Sequence, residues 1–254
     1  MKIPKSFLPV FWSKQHGAYI TLLFCWLICV CLSADFHREQ AFVLFFLLSG
    51  LNLVELIVES YRRKSPFPVN KRIWFGIYLF LTLFFGIVVL LTVPLFLQIM
   101  PVFVCAGIVF ILLALKRKQK SLLAEWITFA VFALAGCLAY FPESMPDVKI
   151  IISLTGMMAI YFGLSIFIVK SWLSRLPEYA GLIYVMLALV IMFFFYNSRG
   201  LLFSVGFLML LKATVPPAFK NWFHQLAIKK IGMMEAVYHL VFLILLILFK
   251  SEIV

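Results

Sequence analysis

Nine apolar runs divide the chain, each about long enough to cross a bilayer as a helix. They fall at roughly 17–34, 41–59, 73–92, 95–115, 122–141, 150–169, 179–196, 201–216 and 233–249. A helical span takes about 20 apolar residues. Inside a bilayer the backbone must satisfy its own hydrogen bonds, so runs of this length predict helices. Pro142, Pro146, Pro177, Pro216 and Pro217 fall at predicted helix ends, where a missing N–H costs little. Only the Pro94-to-Pro101 region separates the third and fourth runs, which predicts a tight hairpin. The run at 201–216 is short and carries Lys212, so a half-span or re-entrant piece competes there with a full span. The longest loop, near 217–232, sets Trp222, Phe223 and His224 among lysines and reads as an interfacial amphipathic stretch. No repeat or soluble segment interrupts the pattern. The expectation is an all-α, polytopic integral membrane bundle of about nine helices, with residues 1–254 forming one transmembrane domain.

Composition excludes the alternatives. Of 254 residues, 65% are hydrophobic and 13% charged, where a soluble domain has about 45–50% and about 25%. The mean hydropathy is +1.11. Disorder, a disulfide scaffold and an ordinary soluble enzyme are all excluded. The net charge of +12 does not imply nucleic acid, because the basic residues cluster between apolar runs as the positive-inside bias requires. With the N-terminus inside, eighteen Lys and Arg fall on inner segments, Lys212 counted among them. Only Arg38, Lys149, Arg199 and Lys250 fall outside. This split predicts a cytoplasmic N-terminus and an outer C-terminus. Cys25, Cys29, Cys31, Cys105 and Cys137 all lie in apolar runs without accompanying histidines and read as packing residues. Asp35-Phe36-His37-Arg38 follows the first run. That is no small-residue cleavage site, so the run is expected to remain as a span.

Ionisable residues inside spans are costly and usually face a cavity or a partner. Asn52, Glu55 and Glu59 are spaced three and four apart, on one face of the second helix. They could hold a divalent cation, or basic residues that clamp an anion; alternatively Glu59 pairs with Arg62 or Arg63 at the interface. Lys116-Arg117-Lys118-Gln119-Lys120 reads as a positive anchor, with Lys118 or Lys120 in reach of Glu125. Glu235 and His239 lie four apart and suit proton transfer, ligand holding or a plain helix-to-helix bond. His16 precedes Gly17-Ala18, which permit close helix approach. It is expected either to join Glu59 and Arg117 at one cavity or to anchor the helix at the headgroups.

The run Lys14-Gln15-His16-Gly17-Ala18-Tyr19 resembles the signature of the YwiC-like family of bacterial membrane proteins, with His-Gly-Ala as its distinctive part. Lys120-Ser121-Leu122-Leu123-Ala124-Glu125 and Lys230-Ile231-Gly232-Met233-Met234-Glu235 fit the same family. The resemblance implies a multi-pass protein of the bacterial cytoplasmic membrane and no particular activity. More distantly, the helix count, the sidedness and the spacing of Asn52, Glu55 and Glu59 resemble UbiA-type intramembrane prenyltransferases, whose Lys-Arg pair after the fourth helix is matched by Lys116-Arg117. That likeness implies an isoprenoid or lipid diphosphate ligand at the cytoplasmic face and, if the chain is an enzyme, prenyl transfer. Asn52, Glu55 and Glu59 would hold Mg²⁺, and His16, Arg62, Arg63, Lys116 and Arg117 the phosphates. Asn and Glu stand where that superfamily has Asp, and its second acidic motif is absent. Two other readings compete. One is a transporter or channel lined by Glu55, Glu125, Glu235 and His239; the other is a non-catalytic assembly partner in the membrane. A lipid-sized lateral cavity, a path reaching both faces, or a solid core would separate the three.

Overall fold

Every apolar run of the sequence is a helix. The computed structural model describes residues 16–62, 68–116, 118, 121–140, 147–196 and 199–253. In chain order these form α1 (His16–Leu32), α2 (Arg38–Arg62), α3 (Val69–Thr92), α4 (Pro94–Leu115) and α5 (Leu122–Gly136), the last extended by a 3-10 turn at Cys137–Ala139. Then come α6 (Val148–Trp172), α7 (Ala180–Phe195), α8 (Arg199–Ala218), the short α9 (Lys220–Gln225), α10 (Ile228–Leu248) and α11 (Lys250–Ile253). Among the described residues there is no strand.

Among the described residues, six helical stretches are long and apolar enough to cross a membrane: Arg38–Tyr61, Val69–Thr92, Leu122–Ala139, Val148–Trp172, Arg199–Ala218 and Lys229–Leu248. Gly17–Leu32, Pro94–Val109 and Ala180–Phe194 are apolar but shorter. The 201–216 run is one continuous helix of 20 residues, not a half-span. Pro216 and Pro217 sit in its last turn, and Lys212 is enclosed by neighbours instead of breaking the helix.

Local chemistry sets the ends. Ser121 caps α5, its hydroxyl accepting from the Ala124 N–H at 3.3 Å. Asp147 caps α6, its carboxylate accepting from the Lys149 N–H at 2.9 Å. At the other end of α6, Ser174 takes the left-handed conformation at φ 55°. There the Arg175 N–H donates to the Lys170 carbonyl and the Ser174 N–H to that of Ser171, each at 2.9 Å. This is the Schellman ending, adopted without the usual glycine. Val93 alone joins α3 to α4.

In lipid, helix association rests on close packing and interhelical polar bonds, because the surroundings are as apolar as the side chains. The central helix is α6, packed on α5, α7 and α8 and buried along most of its length. Tyr161 of α6 stacks on Phe242 of α10 at 3.8 Å between centroids. Helix α1 packs on α5 and α10. At Gly136 the approach is backbone to backbone: a Cβ there would lie 2.7 Å from the carbonyl carbon and oxygen of Cys25. Helices α2 and α3 lie side by side over a small separate cluster of Leu53, Leu56 and Tyr78. The exposed Phe80, Leu83, Phe84, Ile87 and Leu91 give α3 an apolar outer face suited to lipid.

Candidate functional site: a buried ion pair among three helices

Lys212 of α8 is 1% exposed, although it is one of the longest charged side chains available. Its Nζ donates to Glu235 Oε2 at 2.6 Å and to Ser165 Oγ at 2.8 Å. The Ser165 hydroxyl in turn donates to the same Glu235 oxygen at 2.5 Å. A three-membered ring of bonds thus ties α8, α6 and α10 together. One turn along α10, His239 Nε2 stands 3.8 Å from that oxygen. Lys212 Nζ also lies 5.1 Å from the Tyr161 ring centroid and 5.9 Å from that of Tyr238, within cation–π range. His239 is held edge-on against Phe162 and Phe24 at 4.7 and 5.4 Å between centroids. Helical spacing explains the assembly: 161 and 165 are one turn apart on α6, as are 235 and 239 on α10.

Two further polar atoms adjoin this centre. His239 Nδ1 and Tyr161 Oη are buried with no hydrogen-bond partner among the described residues. A cavity of about 10 Å³, room for about one water molecule, is lined by Ile168, Lys212, Val215, Phe223, Glu235 and Tyr238, with Ile231 and Met234 beside them. Transferring two charges into such surroundings costs several kcal/mol per ion, and only close geometry with added hydrogen bonds offsets it. A buried ion pair is therefore weak evidence of a stabilising role, and intramembrane charge is a functional signal.

Over the cavity lies α9, whose Phe223 is fully buried. Its neighbours clasp it to the α6–α7 connection. Lys220 Nζ meets Glu178 Oε1 at 3.0 Å, and His224 Nε2 reaches the same oxygen at 3.4 Å. His224 Nδ1 lies 3.1 Å from the Trp172 carbonyl, and Trp172 Nε1 donates to the Leu226 carbonyl at 3.1 Å. Glu178 is pushed down from 4.5 to about 2, first by the backbone N–H it accepts from, then by Lys220 and His224.

The residues singled out in the sequence are distributed as follows. Asn52 is buried; its Oδ1 accepts from the Tyr19 hydroxyl at 2.5 Å and its Nδ2 donates to the Leu48 carbonyl at 2.9 Å. Glu59 pairs with Lys71 of α3; the side chains of Arg62 and Arg63, the partners expected from the sequence, lie outside the described residues. Glu55 is half-buried on α2. Lys116 is exposed. Arg63 and Arg117 lie outside the described residues, as do the side chains of His16 and Arg62. Asn52, Glu55 and Glu59 line neither the cavity at Lys212 and Glu235 nor the groove at Met233 and Val237. Among the described residues no three His, Cys, Asp or Glu side chains gather as a metal set. Glu125 pairs with Lys170 of α6 at 3.0 Å; of the two partners expected from the sequence, Lys118 is exposed and Lys120 lies outside the described residues. The geometry brings Glu235 and His239 together as their spacing predicts. It adds Lys212, Ser165 and Tyr161, which sequence reasoning did not assign to a site. The signal was depth: Lys212 sits six residues before the end of α8, and Glu235 seven after the start of α10.

Apolar helices enclosing a charged centre define an integral membrane protein. A family model for YwiC-like proteins matches residues 12–140, just over half of the chain. The chain therefore belongs to the YwiC-like family. The match runs from before α1 through the turn after α5, so the Lys212–Glu235 centre lies beyond it. No curated protein and no solved structure matches the chain.

Proposed function

We propose that this protein is a transporter of the bacterial cytoplasmic membrane that handles a proton, or a small cation in exchange for one, at Lys212, Glu235 and His239. The observation that carries this reading is the ion pair of fully buried Lys212 with largely buried Glu235, beside which His239 and Tyr161 offer polar atoms with no hydrogen-bond partner among the described residues. A proton moving from ammonium to carboxylate converts the ion pair into two neutral groups without leaving the site. His239, one turn deeper, is then placed to receive or return a proton. Ser165 bridges both partners and keeps the geometry through the change. The split of basic residues along the sequence supports a cytoplasmic N-terminus, which puts the Lys212–Glu235 level nearer the cytoplasmic face.

The competing reading is a UbiA-like fold that binds an isoprenoid or lipid diphosphate through Asn52, Glu55, Glu59 and Mg²⁺. It has less support, because Asn52 and Glu59 already engage Tyr19 and Lys71. The test is proton flux in proteoliposomes carrying an internal pH-sensitive dye, with a potassium-clamped potential driving uptake. The parent should acidify the lumen faster than protein-free vesicles, and Glu235→Gln should remove the difference. Equal flux in parent and Glu235→Gln would refute the reading.

A further inference from the structure

We propose that α9 is the gate between water and the buried pair, with Phe223 as its plug and the Glu178–Lys220–His224 cluster as its latch. This rests on the reading of Lys212 and Glu235 as a working centre, and it names the route by which that centre is reached.

Four observations point to it. First, α9 is a six-residue helix between α8 and α10, the two helices that carry Lys212 and Glu235. It sits at the end of both where those residues lie. Second, its faces differ sharply: Phe223 is fully buried and lines the cavity that Lys212 and Glu235 share, while Trp222 and Lys220 are exposed. Removing Phe223 would therefore join the cavity to the surface. Third, α9 is held from outside by polar contacts. Glu178 receives both Lys220 and His224, and His224 spans from Glu178 to the Trp172 carbonyl. Both neighbours of the imidazole are acceptors, so only a doubly protonated ring donates to both at once. Contacts among partly exposed charged groups are individually weak, which suits a latch that must open. Fourth, the segment carrying Glu178 begins at Ser174, a non-glycine residue in the left-handed region, so the latch hangs on a sharply turned connection.

Met234 and Tyr238 also line a shallow groove on α10 with Met233 and Val237. That groove is almost wholly apolar and suits acyl chains, not water.

The test reads access directly. Ile231 lines the cavity and is 3% exposed. In protein in nanodiscs with Cys105→Ser, Ile231→Cys is challenged with a charged, water-soluble thiosulfonate and the adduct assigned by peptide mass spectrometry. Parent α9 should leave the thiol nearly unreacted. Phe223→Ala should raise the labelling rate about tenfold or more, since truncating a fully buried Phe removes most of what holds a small element closed. Glu178→Gln, a surface change that leaves the plug intact, should raise it by a smaller factor and guards against Phe223→Ala failing to fold. A short bis-thiosulfonate bridge between Glu178→Cys and Lys220→Cys should suppress labelling. Parent labelling as fast as Phe223→Ala, or no rise in either variant, overturns the gate. Labelling does not depend on transport, so loss of the gate and loss of the proton-handling reading are separate results.

Discussion

Removing one member of the buried pair should hurt far more than removing both. Lys212→Met deletes the bonds to Glu235 at 2.6 Å and to Ser165 at 2.8 Å and leaves a carboxylate with Ser165 as its remaining donor. Breaking a buried pair in this way costs about 3–5 kcal/mol, against an average of about 0.6 kcal/mol for a single interhelical hydrogen bond in lipid. Ser165 still donates to Glu235, which places Lys212→Met near about 3 kcal/mol. Glu235→Leu leaves an ammonium with only Ser165 and the rings of Tyr161 and Tyr238 near it, so its cost lies higher, at about 4 kcal/mol. The double variant Lys212→Met with Glu235→Leu removes both charges and keeps the volume. It should unfold within about 1 kcal/mol of the parent, or above it. The coupling energy from the cycle is then about 6 kcal/mol or more in magnitude. Equilibrium unfolding in bicelles by steric trapping measures all four proteins. A double variant as costly as the two singles combined would refute the compensated-pair description. The double variant should also carry no proton flux while remaining folded, which a purely structural pair would not predict of it.

Other outcomes follow from particular contacts. Gly136→Ala places a methyl 2.7 Å from the Cys25 backbone and should cost about 1–3 kcal/mol by overpacking, visible as a lower melting temperature. Gly107→Ala, with nothing within 4 Å, should be silent. Lys71→Ala opens the partly exposed pair with Glu59 and should cost no more than about 1 kcal/mol, because such pairs are screened. The backbone N–H, Lys220 and His224 hold the Glu178 carboxyl at about 2, below the ordinary carboxylate range. A depressed carboxylate contributes above its ordinary range and loses the contribution as pH falls through its folded value. The melting-temperature gap between parent and Glu178→Gln should therefore persist between about pH 7 and pH 5 and close toward pH 2. Labelling of Lys116→Cys from the cytoplasmic side alone should report the sidedness that the basic residues imply, and labelling from outside intact cells would reverse it.

Helix positions were legible because bilayer thickness and hydropathy fix them with little help from context. Even the doubtful 201–216 run follows that logic, since an enclosed Lys costs the helix nothing that Glu235 does not restore. Partners were less legible. Glu235 and His239 announce each other through spacing along one helix, whereas Lys212 and Ser165 arrive from helices 23 and 70 residues away. Spacing within one strand of sequence carries no information about which helices become neighbours. Glu125 shows the same limit: Lys118 is nearer in sequence, yet Lys170 reaches it across the α5–α6 contact. On α2, spacing placed Asn52, Glu55 and Glu59 on one face, but Tyr19 of α1 and Lys71 of α3 decide what two of them do.

The central claim is that Glu235 changes protonation while it stays inside the bundle. Infrared difference spectroscopy of proteoliposomes, with and without an imposed proton gradient, reads that carboxyl directly. The account predicts a protonated-carboxyl difference band in the parent that shifts in Ser165→Ala and is absent in Glu235→Gln. A band that is unchanged in Glu235→Gln, or no buried-carboxyl difference band at all, would contradict it.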